Sequence, residues 1–142
     1  MALRSKEQGF SLIEFILVAL TVALLIAIIM KNYSDAVLVE RRSIAQQGLI
    51  TVAGLQERWF IRMFEYARRI DDVGGADAAG EHYQLRVTQD PCGDASCFTV
   101  TATAINEQEE DRACERIILS SSGVRKAFSR ENEDTSAVCW KS

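Results

Sequence analysis

Proline and histidine are almost absent from this chain of 142 residues: Pro91 and His82 are the only ones. With one histidine, schemes that need an imidazole base or ligand have almost nothing to draw on. No nucleophile–base set, phosphate-cradling glycine loop or metal-ligand cluster stands out either. The chain therefore reads as a non-enzyme that needs no cofactor and no metal. The missing prolines leave the first ninety residues without a helix breaker, apart from sparse glycines. An excess of basic charge is also missing. Sixteen Lys and Arg stand against twenty Asp and Glu, a formal net charge of −4, which disfavours general nucleic-acid binding. Charge is scarcest over residues 10–30, where Glu14 is the single ionisable residue.

That apolar stretch is the most informative part of the chain. Its 21 residues suffice for one α-helix across a bilayer. The short leader before it, residues 1–9, carries Arg4 and Lys6 against Glu7. Its basic charge predicts a cytoplasmic N-terminus, with everything past Met30 outside. A secretory signal peptide has a shorter apolar core and a small-residue cleavage site after it. A plain single-span anchor accounts for the span but not for Glu14. A carboxylate at membrane depth costs about 2.5–3.5 kcal/mol, so a retained one implies a partner. No Lys, Arg or His lies within the stretch. A cut after Gly9 creates the nearest cation, the α-ammonium of Phe10. In a bundle of staggered helices, one chain's amine can reach Glu14 of another.

Gly9-Phe10-Ser11-Leu12-Ile13-Glu14, followed by the long apolar helix, resembles the class III signal of type IV pilins and pseudopilins. The resemblance implies that a prepilin peptidase cuts after Gly9 and N-methylates Phe10, and that Glu14 serves assembly by pairing with a neighbour's terminal amine. It implies further partners: other pilins and minor pilins in a filament, an inner-membrane assembly platform, and membrane lipid before assembly. The implied course runs from a single-pass inner-membrane protein with a periplasmic head to a cell-surface pilus. Many major pilins carry a helix-bending Gly and Pro in the membrane half. Ala23 and Lys31 stand at those positions here and break no helix.

Beyond the span, Val37, Ile44, Gly48, Val52, Leu55, Trp59, Met63 and Tyr66 recur at helical spacing. They predict that the helix continues to about Arg69, with Glu40, Arg41, Gln47, Glu57 and Arg58 on the opposite face. Residues 71–80, with Gly74, Gly75 and Gly80, read as a loop. Alternation predicts strands over residues 82–89 and 97–104, joined as a hairpin. Residues 117–119 read as a third strand and 124–128 as a short fourth. Residues 106–112 form an acidic connection, read as solvated. The expected fold is α+β: one long N-terminal helix, half membrane-spanning and half amphipathic, packed on a small antiparallel sheet of three or four strands. Four segments follow: leader 1–9, filament-core half 10–30, amphipathic half 31–69 and globular head 70–142.

Cys92, Cys97, Cys114 and Cys139 all lie in the last third, on the side expected to be exported. An even count there reads as two disulfides. Cys92–Cys97 would close the hairpin loop. Cys114–Cys139 would tie down the tail of a head too small for a generous core. Two other connectivities remain open on spacing alone. The Ala113-Cys114 strand, the Ser122-Gly123 turn and the terminal Cys139-Trp140 resemble small PilE-like minor pilins. The reading is therefore a type IV pilus subunit, a minor pilin, serving adhesion, twitching motility or DNA uptake. The alternatives are a type II secretion pseudopilin, a major pilin, or a tip module that binds a surface or DNA. For the last, Arg58, Arg62, Arg68 and Arg69 form the basic cluster to test.

Overall fold

The computed structural model describes residues 11–141, as two compact units that divide between Val37 and Leu38. In the first unit the chain is helical from Leu12 onward, part of α1 (Leu12–Met63). Its apolar side chains are exposed: Phe15 at 71%, Leu25 at 60% and Ile29 at 64%. Its most apolar window has a mean hydropathy of 3.0, long and apolar enough to cross a membrane, with none of it buried.

The second unit holds the core. From Leu38 onward α1 lays Ala45, Leu49, Val52 and Gln56 inward, all fully buried. Their spacing of four, three and four residues follows one helical face. They meet a four-stranded antiparallel meander in the order β1 (Tyr83–Thr88), β2 (Thr99–Ala104), β3 (Arg116–Ser120) and β4 (Arg125–Phe128). Inward positions of the strands are Tyr83, Leu85 and Val87; Val100, Ala102 and Ala104; Ile117 and Leu119; and Ala127. The period-two alternation is that of a sheet with one face on a core. Ala45, Ala102 and Ala127 are among the small side chains of this core. The α+β architecture expected from the sequence is present, with all four strands formed.

The helix differs from expectation in two respects. The buried stripe runs through Ala45, Leu49 and Gln56. Ile44 is 41% exposed and Met63 52% exposed, so the stripe lies about one residue round from the expected face. The helix also stops at Met63 rather than near Arg69. Phe64 takes the left-handed conformation at φ 59°, and its N–H donates to Phe60 O at 2.8 Å, an αL cap. The chain that follows is held by side chains. Buried Gln56 accepts from the Ala67 N–H at 2.9 Å and donates to Ala67 O at 3.1 Å. Tyr66 N–H donates to Ala95 O at 2.9 Å. One glutamine thus pairs both backbone groups of a buried residue just past the end of the helix.

The expected loop at 71–80 opens with a one-turn helix, α2 (Ile70–Val73), ended by Gly74 at φ 75°. Gly48 on α1 lies against its far end. A Cβ at Gly48 would stand 2.7 Å from Ala78 O, so only glycine permits this approach. The chain closes with α3 (Ser136–Cys139). Asp134 accepts from the Ser136 N–H and hydroxyl just before that turn, which holds its carboxyl below the usual range.

Candidate functional site

Glu14 sits in the first turn of α1, its N–H donating to Ser11 O at 3.0 Å and its side chain exposed. Gly9 and Phe10, the expected processing residues, lie outside the described residues. So does the leader.

The cysteines are joined as Cys92–Cys97 and Cys114–Cys139, with Cα separations of 6.0 and 5.8 Å. The first closes the β1–β2 loop. The second links the turn before β3 to α3 and is buried, with Cys114 at 0% and Cys139 at 1% exposure.

The acidic segment 106–112 is not the solvated connection its composition suggests. It winds into two 3₁₀ turns, Asn106–Glu110 and Arg112–Cys114. Asp111 is 3% exposed and takes a two-pronged contact from Arg42, through Nε and, at 2.7 Å, Nη2. Buried Gln108 donates to Asp111 Oδ2 at 3.0 Å, to Tyr83 Oη at 3.1 Å and to Leu38 O at 3.3 Å. Glu107 pairs with Arg41 at 2.8 Å. The segment is therefore a strap that anchors the sheet to α1. Burial, and next the Asp111 charge, push the Tyr83 hydroxyl up to about 12. Nothing local in the sequence reveals this network, because its partners are some 70 residues apart. Among the described residues no group of three or more His, Cys, Asp or Glu is placed to hold a metal ion.

The expected basic cluster is only partly assembled. Arg58 and Arg62 share a groove with Leu55, Ile61, Asp72 and Val73, and Arg62 lies over the Trp59 ring at 5.9 Å. Arg69 turns to Asp72 at 3.0 Å, which holds the Asp72 carboxyl below its usual range. The charge of Arg68 acts on Asp94, a minor influence beside the Ser96 hydrogen bonds that lower that carboxyl. Each end of this cluster thus has a carboxylate at hand.

A second cationic surface was not foreseen. The solvent face of the sheet carries Gln84, Arg86 and Thr88 from β1, and Thr99, Thr101 and Thr103 from β2. From β3 and β4 it carries Arg116, Ile118, Ser120, Lys126 and Phe128. None of these is acidic, in a chain of net charge −4. The register aligns Arg86, Thr101, Ile118 and Lys126 in one row across all four strands. Among the described residues Arg86 and Lys126 enter no ion pair. Arg116 donates to Asn132 and stacks on Phe128 at 5.4 Å. The alternation of β1 and β2 was visible in the sequence; the register that gathers three cations on one face was not.

At one end of this face, beside the Cys92–Cys97 bridge, lies a pocket of about 460 Å³. Its walls include Pro91, Phe98, Ile118 and Val124, with Thr99, Ser120, Ser121, Ser122 and Lys126 as polar members.

Comparison with known proteins bears on these surfaces. The family model described as type IV minor pilin ComP, DNA uptake sequence receptor, matches residues 32–118. A solved structure of a type IV pilin from Shewanella oneidensis is 28% identical, over 61% of this chain and 86% of that one, with a TM-score of 0.45. No curated protein matches. The family match runs from the amphipathic half of α1 into β3 and covers more than half of the chain, so the chain belongs to the ComP family of type IV minor pilins.

Proposed function

We propose that this minor pilin binds DNA for uptake through the solvent face of its sheet. The observation that carries the reading is that face: three cations and a field of hydroxyls on the outward positions of the four strands, none of them acidic, with Asp134 only at the β4 edge, on a chain that is acidic overall. Arg86, Arg116 and Lys126 are suited to phosphates, which supply most of the affinity of protein–DNA contacts. Threonine and serine hydroxyls donate to phosphate oxygens or to base edges. Acidic surface elsewhere repels the duplex and so directs it to this face. The printed description of the family, a receptor for a DNA uptake sequence, supports the same ligand.

The test uses the full chain in detergent micelles and labelled duplex DNA across a salt series. Each phosphate contact contributes about −0.9 to the slope of log K against log salt. Arg86→Ala with Lys126→Ala should flatten the slope by about 2 units and weaken binding. Arg68→Ala with Arg69→Ala should leave it nearly unchanged. The opposite pattern would move the site to the end of α1.

As a minor pilin the chain is a filament subunit, and its neighbours there are other pilins. Its route to the filament belongs to the proposal. A prepilin peptidase removes residues 1–9, cutting between Gly9 and Phe10. Residues 10–30 hold the protein in the inner membrane with the head outside, until an assembly platform feeds it into the filament core. The exposed apolar stretch of α1 supports the membrane stage. Mass spectrometry of sheared filaments should find a chain beginning at N-methyl-Phe10. A chain beginning at Met1 would refute processing.

A further inference from the structure

The sheet face can hold phosphates, but a flat row of cations does not distinguish one base from another. The pocket at its end has the features of a recognition site. Its volume of about 460 Å³ falls in the range of small-ligand sites, which are mostly apolar with a few placed polar groups. Ile118 lines it and pairs directly with Lys126, another lining residue, across β3 and β4, so the ammonium stands beside an apolar side chain. Both walls are braced. Ser121 N–H donates to Phe98 O at 2.8 Å, and the Ser120 hydroxyl accepts from Val124 N–H at 3.2 Å. Opposite, the Thr99 hydroxyl donates to Asp90 O at 2.6 Å, and the Cys92–Cys97 bridge closes the loop. The site is therefore largely preformed. Its chemistry fits a flat, uncharged ring tethered to an anion, and it is continuous with the face proposed above to carry DNA.

We propose that this pocket takes one nucleobase everted from the DNA lying on the sheet, with the adjoining phosphate on Lys126. The ring lies between the side chains of Ile118 and Val124, and the Ser121 hydroxyl reaches its polar edge. The inference rests on the DNA reading of the sheet face. It goes beyond it by assigning base contact to a pocket, of which Ser121, Val124 and Lys126 lie past the family match, which ends at residue 118.

Everting a paired base costs a few kcal/mol, and an unpaired base costs least. The probes are therefore two duplexes, one fully paired and one with a single bulged 2-aminopurine, titrated with the full chain in micelles. The wild type should bind the bulged duplex about tenfold more tightly and raise its 2-aminopurine fluorescence. Ile118→Trp fills the pocket from an outward-facing position. It should abolish both effects. Val124→Trp, at a half-exposed turn outside the sheet face, should abolish them too, while affinity and salt slope for the paired duplex stay unchanged. The proposal is overturned if the preference survives both tryptophans. It is also overturned if the wild type binds both duplexes alike with no fluorescence rise, and the DNA reading of the sheet face then stands. Absence of salt-dependent binding to either duplex removes both readings.

Discussion

At Gly48 two effects of one methyl group oppose each other. Alanine is favoured over glycine inside a helix by about 1 kcal/mol. A Cβ there would meet Ala78 O at 2.7 Å and Ala78 C and Ala79 N at 2.8 Å, all backbone atoms of a packed loop. Overpacking of this kind costs about 1–3 kcal/mol and wins wherever the backbone cannot retreat. Gly48→Ala should lower the thermal midpoint by several degrees. Gly54→Ala, with nothing within 4 Å of its Cβ, should raise it. Equal shifts at both sites would refute the close approach.

Tyr83 sets a limit at high pH. Its hydroxyl accepts from Gln108 at 3.1 Å and is pushed up to about 12, first by burial and then by Asp111. An unfolded tyrosine ionises near 10. The contribution is thus fully present below pH 10. It is lost between 10 and 12, where the unfolded chain sheds its proton first, with a slope approaching about 1.4 kcal/mol per pH unit. Urea midpoints measured from pH 9 to 11.5 should fall for the wild type and fall less for Tyr83→Phe. Parallel curves would refute this.

Among elements, the two bridges differ in leverage. On the chain-entropy model, Cys114–Cys139, at a sequence separation of 25, contributes about 3.5 kcal/mol. Cys92–Cys97, at a separation of 5, contributes about 2 kcal/mol. Replacing the first pair by serines should therefore lower the denaturation midpoint more than replacing the second; the reverse order would refute the argument. Strands β1 and β2 were legible from their alternation and β3 from its apolar run, patterns that span only a few residues. The end of α1 was not, because it depends on Gln56 capturing Ala67 and on Tyr66 bonding Ala95, contacts made only after the chain has turned back. Residues 106–112 failed for a related reason. Composition reads Asp111 as solvated; proximity to Arg42 makes it the buried member of an ion pair.

For the molecule as a filament subunit, the decisive feature is the apolar stretch, whose side chains lie open in the single chain. Glu14 is its one carboxylate, and in an apolar surround an unpaired carboxylate costs about 2.5–3.5 kcal/mol. The proposed pairing with a neighbour's Phe10 amine predicts that Glu14→Ala is still cleaved but enters filaments poorly. Immunoblots of sheared filaments and membranes would check this, and normal incorporation would refute the pairing.

Membrane-spanning capacity, the long helix and the alternating strands were determined by the amino-acid order itself. Hydropathy and periodicity are local properties, carried by residues within one or two turns of each other. The tertiary structure decided which cysteines meet, where α1 ends, that the acidic strap docks on Arg42, and that Arg86, Arg116 and Lys126 share one face of the sheet. Each of these depends on a distance between residues far apart in the chain, and such distances exist only once helix and sheet have packed.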